Sequence, residues 1–485
     1  MNQVKKLLIV GGGTAGLISA IIIKKYLSIQ VDIVHSKNIG IIGVGEGSTE
    51  HFRQFMDFAG IDQHTIIKEC DATFKSGIMF SGWGDKDYLH SVGGGFEKKA
   101  GQYPFVYAKQ VGENTGYLNP RLLWNNRIDK YWLNKNETPP FNQFHFNTHK
   151  LNAYLIKVAK SLGINVMEDD IQDINLDEAG NIKSLTGVTS MYEYDFYIDS
   201  TGFKRILMSK LGANWVSYGK YLKMKSAITF QTSDTDEYNL WTVAKAMDYG
   251  WLFRIPVWGR YGNGYIFDSD YIDADTAKAE VDKLFNGSVE VGKQFNFDPG
   301  ALDRQWIKNC CAIGLSSSFI EPLEASSIGT SIQQSFILMH KLANYDESVI
   351  KSYNKSITEI TDNIRDFVVL HYVTKKTNTS FWKDVSALPL PDSLASKLEV
   401  WRNRMPITED FIGQSGYSLF GPSNYIMVMD GLDLFNRDAI KQELELHNED
   451  IKKQANTIVD DEIKRDLKND SFSHKEYLSL IRNYL

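Results

Sequence analysis

The chain begins with a short apolar run, then a stretch whose apolar residues have helical spacing, and then a second short apolar run. Residues 6–10 are mostly apolar, residues 17–26 carry apolar side chains at helical spacing, and residues 31–34 form a second apolar run. Short apolar runs on either side of a helix are typical of a β-α-β unit. The chain is therefore predicted to begin with two parallel strands joined by a helix.

Strand-like patterns dominate the middle of the chain. The predicted strands cover residues 164–167, 171–176, 182–189, 194–199, 226–232, 251–258 and 264–267. Residues 178–181 lie between the second and third of them and have the polar and glycine residues of a hairpin turn. An amphipathic helix precedes the set over residues 146–162, with Asn147 or Thr148 as its N-cap. The later strands predict a second sheet, inserted between segments of the first.

From residue 327 onward the apolar spacing becomes helical. The predicted helices cover residues 327–342, 346–373, 393–404 and 438–467. The whole pattern predicts an α/β fold. Residues 1–345 are expected to form its core, with an inserted substrate-side sheet over approximately residues 70–145 and 220–300. Residues 346–485 are expected to form a mostly helical C-terminal cap over the substrate site.

Composition limits the classes of partner. The net charge of −7 argues against nucleic acid as the main partner, because phosphate binding needs a basic surface. The sequence has no run of about 18 apolar residues for a membrane span, and the apolar part of residues 1–10 is too short for a signal peptide. Three cysteines without metal-ligand spacing favour a reducing, cytoplasmic environment and predict no metal site.

A glycine-rich segment directly follows the first predicted strand. Residues 11–16 read Gly-Gly-Gly-Thr-Ala-Gly, the spacing of a dinucleotide-binding loop. In that loop Gly11 permits the tight turn, Gly13 lets the backbone approach a pyrophosphate, and Gly16 lets helix and strand pack closely. The helix N-terminus, at Thr14 and Ala15, then faces the phosphates.

The second predicted strand departs from this pattern where it ends. An acidic residue about 20 positions after the loop usually binds the ribose hydroxyls, but this chain has His35 and Ser36 there. Either side chain offers hydrogen bonds to a ribose. The departure weakens a nicotinamide cofactor as an interpretation and leaves FAD compatible with the loop.

Three further segments carry candidate chemistry. Lys75 lies among apolar and aromatic residues, where it either reaches solvent along its own stem or is desolvated, with a lowered pKa. Glu324 is either a carboxylate at a helix N-terminus or a reactive group. Residues 250–256, Gly-Trp-Leu-Phe-Arg-Ile-Pro, form a rigid aromatic block that predicts a wall between cofactor and substrate.

These segments, in this order, resemble the flavin-dependent halogenases. Residues 250–256 are similar to the family's Trp-x-Trp-x-Ile-Pro, with Phe253 at the second Trp. Residues 43–49 resemble its Gly-Val-Gly-Glu-Ala-Thr loop, and residues 74–80 its Phe-Lys-x-Ala/Gly-Ile-x-Phe motif. Residues 319–327 resemble Phe-x-Glu-Pro-Leu-Glu-Ser-Thr-Gly, with two serines where Thr-Gly is usual. The resemblance spans nearly the whole chain.

The resemblance assigns four sets of residues. The catalytic pair is Lys75 and Glu324, and the halide site is Ser326 and Ser327. The substrate barrier consists of Trp251, Phe253, Ile255 and Pro256. The residues expected to bind FAD are Gly11, Gly13, Thr14, Ala15, Gly16, His35, Gly45, Glu46, Gly47, Ser48, Leu315 and Ile328.

The resemblance also implies a fold and a reaction. The fold is an FAD-binding, Rossmann-like core of the flavin monooxygenase type. FADH2 reacts with O2 to a flavin hydroperoxide, a halide (chloride, bromide or iodide) is oxidised to hypohalous acid, and this is held at Lys75 to halogenate a small aromatic substrate. No reductase domain fits in the chain, so a separate flavin reductase is expected, and a homo-oligomer is among the expected states.

Two alternatives stay open at this point. An aromatic hydroxylase of the same fold would need its substrate beside the flavin, which the wall at residues 250–256 argues against. A catalytically silent flavoprotein would not need Lys75 and Glu324. The family's tryptophan halogenases have His-Pro-Phe-Gly near the indole, but residues 90–93 here are His-Ser-Val-Gly, so free tryptophan is expected to be a poor substrate.

Overall fold

The computed structural model describes most of the 485 residues. The described ranges are residues 3–40, 46–92, 104–113, 126–130, 141–411, 416–468 and 470–484. Within them the strands, numbered in chain order, are β1 (Lys6–Val10), β2 (Gln30–His35), β3 (Glu46–Gly47), β4 (Thr73–Lys75), β5 (Gly77–Ser81), β6 (Tyr88–Ser91), β7 (Arg127–Asp129), β8 (Gln143–Phe146), β9 (Asn165–Glu168), β10 (Ile171–Leu176), β11 (Ile182–Gly187), β12 (Met191–Tyr192), β13 (Phe196–Asp199), β14 (Trp215–Ser217), β15 (Ser226–Ser233), β16 (Thr242–Met247), β17 (Gly250–Val257), β18 (Arg260–Phe267), β19 (Val291–Asn296), β20 (Gly300–Leu302), β21 (Trp306–Ile307), β22 (Cys310–Ala312), β23 (Ser318–Phe319) and β24 (Ser471–Ser473).

The helices of the same ranges are numbered in the same way. They are α1 (Thr14–Tyr26), α2 (His51–Ala59), α3 (Gln63–Glu69), α4 (Pro104–Glu113), α5 (Thr148–Ser161), α6 (Ile206–Lys210), α7 (Ala274–Leu284), α8 (Ser326–Leu342), α9 (Glu347–Leu370), α10 (Ser380–Ser386), α11 (Asp392–Trp401), α12 (Pro422–Gly431), α13 (Arg437–Glu445), α14 (Glu449–Lys468) and α15 (His474–Tyr484). Short 3-10 helices cover Gly202–Lys204, Gly314–Ser316, Pro322–Glu324 and Thr408–Phe411.

The nucleotide-type sheet is built around the first strand. Among the described residues its order is β21-β22-β13-β1-β2-β9. All its neighbours pair in parallel except β21 with β22. Leu7, Leu8 and Ile9 of β1 have no solvent exposure, as expected for a parallel strand covered on both faces. The predicted β-α-β opening and the FAD-type, Rossmann-like fold class are confirmed.

The second sheet is larger and mostly antiparallel. Its described order is β19-β15-β18-β17-β16-β5-β6, and only β5 and β16 pair in parallel. The aromatic block of residues 250–256 lies in β17, at the middle of this sheet. A smaller sheet of order β3-β8-β4 brings Glu46 and Lys75 onto strands that share β8 as their neighbour. This small sheet connects the second glycine-rich segment to the lysine.

The C-terminal helices agree with the sequence pattern at α8, α9 and α11, whereas α10, α12 and α15 were not predicted. The stretch of residues 438–467 was expected as one helix, and this is wrong: it is divided into α13 and α14. Asn448 lies between them and accepts a hydrogen bond from Ile451 N–H (3.0 Å), which caps the start of α14. The predicted cap of α5 is confirmed, since Asn147 accepts from His149 N–H and Lys150 N–H.

Two general properties bear on the environment of the chain. No described helix has the length and apolar character that a membrane span requires. Cys70, Cys310 and Cys311 are all buried and none forms a disulfide.

Candidate active site

The first glycine-rich loop turns tightly against Ser200, the residue that follows β13. Gly11 has a φ of +120°, and a Cβ there would lie 2.1 Å from the Ser200 carbonyl oxygen. A Cβ on Gly16 would lie 2.2 Å from the Gly11 oxygen. Neither position has room for a side chain. Gly13 differs, because a Cβ built on it meets no described atom within 4 Å, so its backbone borders open space.

The residues around this open space form a cradle for a phosphate-containing group. Thr14 and Ala15 begin α1, and no described side chain caps that helix end. The ring of His35 lies beside Gly12, where a Cβ would be 2.8 Å away. Gly314 packs against Ala15, since a Cβ on Gly314 would lie 2.7 Å from the Ala15 Cβ. Leu315 follows directly, so the segment that carries it shares this cradle.

The second glycine-rich segment links the cradle to the lysine. Gly47 pairs with His145 in β8. A Cβ on Gly47 would lie 3.4 Å from Lys75 Cδ and 3.5 Å from Ala325 Cβ. Lys75 and Ala325, the residue after Glu324, therefore both lie against Gly47. Gly45, also expected to bind the cofactor, lies outside the described residues.

Lys75 is a buried lysine. Its side chain is 1% exposed, so the alternative in which the amine reaches solvent is wrong. Nζ donates to the Ser48 carbonyl oxygen at 2.8 Å. Burial lowers the pKa of Lys75 to about 8, against the opposing effect of the Glu324 and Glu50 carboxylates. At pH 7 about one tenth of this amine is therefore unprotonated, and near pH 8 about half.

Glu324 is buried between two histidines. His90 Nδ1 lies 3.0 Å from both carboxylate oxygens, and His371 Nε2 lies 2.8 Å from Oε1. Burial would raise the pKa of Glu324, but the two histidines outweigh it and hold the pKa at about 2. The carboxylate is therefore an anion throughout the neutral range, bound by side chains rather than serving only as a helix-end acid.

The two serines expected at the halide site begin α8. They line a small cavity with space of about 10 Å³ for a water-sized particle, close to the minimum that one water molecule needs. The cavity lining is Gly314, Ser318, Ile320, Ser326, Ser327, Thr330 and Ile364. Ser327 is not among the residues with positive φ, so a side chain in place of the usual glycine causes no backbone strain. Ile328 is the next residue of the helix and is 7% exposed.

The aromatic block lies in β17 and is hydrogen-bonded to the strand that carries the lysine. Trp251 is 1% exposed, and Phe253 lies over Gly264, where a Cβ would be 2.4 Å from the Phe253 ring. Ile255 and Pro256 are buried at the far end of the block. The Pro256 carbonyl oxygen accepts from Thr73 Oγ1 at 2.8 Å. This bond ties the block to β4, which carries Lys75.

A second buried carboxyl supports the block. Glu321 Oε2 accepts from Trp251 Nε1–H (3.2 Å) and from the Tyr372 hydroxyl (2.8 Å). Oε1 has no partner in the part of the chain that the structure describes. Burial raises the pKa of Glu321 to about 7, although both bonds act in the opposite direction. Sequence reasoning missed this group, and likewise the histidines around Glu324.

Glu321→Gln is expected to flatten the pH dependence of stability. The pKa of Glu321 rises from 4.5 unfolded to about 7 folded. Between these values unfolding releases a proton, so the wild type loses stability as pH rises. Glutamine keeps a side-chain oxygen that accepts hydrogen bonds but has no proton to release. Between pH 4.5 and 7 the free energy of unfolding should therefore fall less in the variant than in the wild type, by on the order of 1–3 kcal/mol. Urea unfolding at several pH values measures this, and parallel curves would contradict it.

Comparison with known proteins places the chain in a family. The family model described as tryptophan halogenase matches residues 6–444. The tryptophan 6-halogenase SttH of Streptomyces toxytricini is 30% identical over 468 residues, 88% of this chain and 89% of that protein. The 7-chloro-L-tryptophan 6-halogenase KtzR of Kutzneria sp. (strain 744) is 29% identical over 469 residues, 88% of this chain and 90% of that protein.

Solved structures agree. A tryptophan halogenase from Shewanella frigidimarina NCIMB 400 superposes with a TM-score of 0.87 and 25% identity, covering 99% of this chain and 98% of that one. The flavin-dependent halogenase Xcc4156 from Xanthomonas campestris has a TM-score of 0.81 and 28% identity, covering 99% and 98% of the two chains. The chain belongs to the tryptophan halogenase family and is a flavin-dependent halogenase.

Proposed function

We propose that this enzyme uses reduced FAD, O2 and a halide to halogenate a small aromatic substrate, with Lys75 and Glu324 as its catalytic residues. One observation carries the proposal: buried Lys75 and Ala325, the residue after buried Glu324, both lie against Gly47, next to the serines of a small polar cavity. The Glu324 carboxylate is close enough to act on the pKa of Lys75, and a hydroxylase of the same fold has no evident use for such a pair.

The residues of the cradle fit FAD. The open space at Gly13 and the uncapped start of α1 suit a pyrophosphate. His35 lies where a ribose hydroxyl is expected, and Leu315 and Ile328 supply apolar contacts. We assign Glu46, Gly47 and Ser48 to the segment beside the flavin ring. When bound, reduced FAD would supply two electrons and the halide two, and together these reduce O2 to the oxygen atoms of water and hypohalous acid.

Lys75 and Glu324 then act on the acid and on the substrate. The amine of Lys75 is close to half neutral near pH 8, so it offers a lone pair to the halogen as well as a hydrogen-bond donor. Glu324 stays anionic and stabilises the positive charge that develops on the aromatic ring as the halogen adds. Ser326 and Ser327, at the N-terminus of α8, are assigned to the halide.

The direct test is a substrate screen with product masses. The purified enzyme would receive FADH2 from an added flavin reductase, with chloride, bromide and iodide in turn. Tryptophan, indoles, phenols and anilines would be the substrates. A product heavier by one halogen supports the proposal, one heavier by one oxygen indicates a hydroxylase, and no product indicates a silent flavoprotein. The named relatives act on tryptophan, so a preference for free tryptophan would contradict our expectation from residues 90–93.

Three parts of the proposal concern the surroundings of the enzyme. A separate flavin reductase supplies FADH2. The halogenase itself is assigned to the reducing cytoplasm, and its three cysteines without disulfides support this. The enzyme is proposed to form a homo-oligomer. Gel filtration with light scattering would test this by measuring the molar mass in solution.

Trp251→Ala is expected to uncouple the enzyme. The indole fills the block between the cradle and the lysine, so its loss opens a route along which oxidant escapes before it reaches Lys75. The ratio of halide incorporated to O2 consumed should fall and peroxide should rise. Trp306→Ala is the matched control, because Trp306 is equally buried at the edge of the nucleotide sheet. An unchanged ratio in Trp251→Ala would show that the wall has no such role.

A further inference from the structure

The side-chain amide of Asn424 has a fixed orientation. Asn424 lies in the first turn of α12, and its Oδ1 accepts from the Gly421 backbone N–H at 2.8 Å. Because a backbone N–H needs an acceptor, this bond identifies the oxygen end of the amide. The Nδ2 end lies 3.0 Å from His90 Nε2. An amide nitrogen only donates, so Nε2 of His90 must accept.

The tautomer of His90 follows from this contact. With Nε2 as an acceptor, the ring proton is on Nδ1, which faces Glu324 at 3.0 Å from both oxygens. The other neutral tautomer would place a lone pair against the carboxylate. His90 has no solvent exposure, so no bulk water offers an alternative partner. The amide of Asn424 therefore makes His90 a donor to Glu324.

The second histidine, His371, determines which carboxylate oxygen of Glu324 can accept a further contact. His371 Nδ1 lies 2.8 Å from the Phe367 carbonyl oxygen, and its Nε2 lies 2.8 Å from Glu324 Oε1. Oε1 thus has two nitrogen neighbours, whereas Oε2 has only His90 among the described residues. Oε2 is the oxygen with capacity left for a reacting group.

We propose that Asn424 is a positioning residue for halogenation, acting on Glu324 through the tautomer of His90. The inference rests on the proposed function, because the catalytic role of Glu324 belongs to it. His90 in this tautomer holds the carboxylate in one orientation and leaves Oε2 available. Asn424 itself touches neither Lys75 nor Glu324 in any recorded hydrogen bond of the described chain.

Asn424→Asp tests the proposal with little change in shape. Aspartate still accepts from the Gly421 N–H, so the start of α12 is kept. It cannot donate to His90, and its second oxygen requires a proton on Nε2. The kcat for halogenation should fall roughly 10–100-fold, the range for loss of a group that orients a catalytic residue. The KM for the aromatic substrate should change by less than about threefold.

A spectroscopic readout separates positioning from mere structural support. 15N NMR of histidine-labelled enzyme reports which ring nitrogens are protonated, and loss of a signal in His90→Asn assigns His90. The wild type should show Nδ1 protonated and Nε2 unprotonated, and Asn424→Asp should show Nε2 protonated. Asn436→Asp is the matched control: Asn436 also accepts from a backbone N–H at a helix start, that of Ala439 in α13, and this variant should leave both the His90 signals and kcat unchanged.

The outcomes are distinguishable. Unchanged His90 signals in Asn424→Asp, or changed signals with an unchanged kcat, would overturn the inference. If the aspartate variant does not fold, Asn424→Leu removes the donor without adding charge, and a persistent single Nδ1–H form there would overturn it as well. Failure of the proposed function appears instead in the wild type, as an absence of halogenated product.

Discussion

Lys75→Ala is expected to abolish halogenation while FAD binding and oxygen consumption continue. The Nζ of Lys75 bonds a backbone oxygen of the proposed flavin segment, that of Ser48, but Ser48 is also held by two hydrogen bonds to Phe144. Removal of the lysine side chain should therefore leave the cofactor site intact. Oxidation of halide would go on, but the oxidant would no longer be held near the aromatic ring. Product mass, flavin fluorescence and an oxygen electrode measure the three properties.

Two further variants at this position sharpen the result. Lys75→Met keeps the apolar stem and removes a charge that burial disfavours, so its melting temperature should be equal to or above that of the wild type. Lys75→Arg should also be inactive, because a guanidinium stays protonated and is a poor nucleophile. Normal product yield from the alanine or methionine variant would contradict the catalytic role of Lys75.

Glu324→Gln is expected to slow halogenation by about 10²–10³-fold, the usual effect of losing one electrostatic contact to the transition state. The fold should survive. The amide oxygen can accept from His90 Nδ1–H, and the amide nitrogen can face His371 Nε2, so both histidines keep a partner. Single-turnover rates with preformed oxidant measure the chemical step apart from cofactor reduction.

A matched variant separates this effect from a general cost of removing a carboxylate. Glu280 is a partly buried acid on α7 that accepts from the Tyr265 hydroxyl at 2.6 Å, away from the site. Glu280→Gln should leave the rate unchanged. If the melting temperature of Glu324→Gln instead falls far below that of the wild type, Glu324 is a structural residue and its assignment as a catalytic residue is wrong.

Local features of the fold could be predicted from the sequence. The strand, glycine loop and helix at the start of the chain follow from short-range pattern, as does the cap of α5 at Asn147. The break between α13 and α14 was missed, because the apolar spacing continues across it while Asn448 starts a new helix. The division of the chain at residue 345 stays a prediction.

The candidate site shows where sequence reasoning ends. Lys75 and Glu324 were recognised from their local motifs, but the environment of each depends on distant residues. His90 and Glu324 are 234 positions apart, and His90 and Asn424 are 334 apart. No periodicity links such positions. Glu321 is itself the third position of a recognised motif, yet only its burial against Trp251 and Tyr372 reveals its raised pKa.

Gly47 has a consequence for protein engineering. A methyl group at this position would meet Lys75 at 3.4 Å and Ala325 at 3.5 Å, both ordinary contact distances. A larger side chain would have to displace the lysine stem or the residue after Glu324. Position 47 is thus a place from which the surroundings of both proposed catalytic groups can be altered without replacing either of them. A small set of substitutions there would change how the two groups pack while Lys75 and Glu324 themselves are kept.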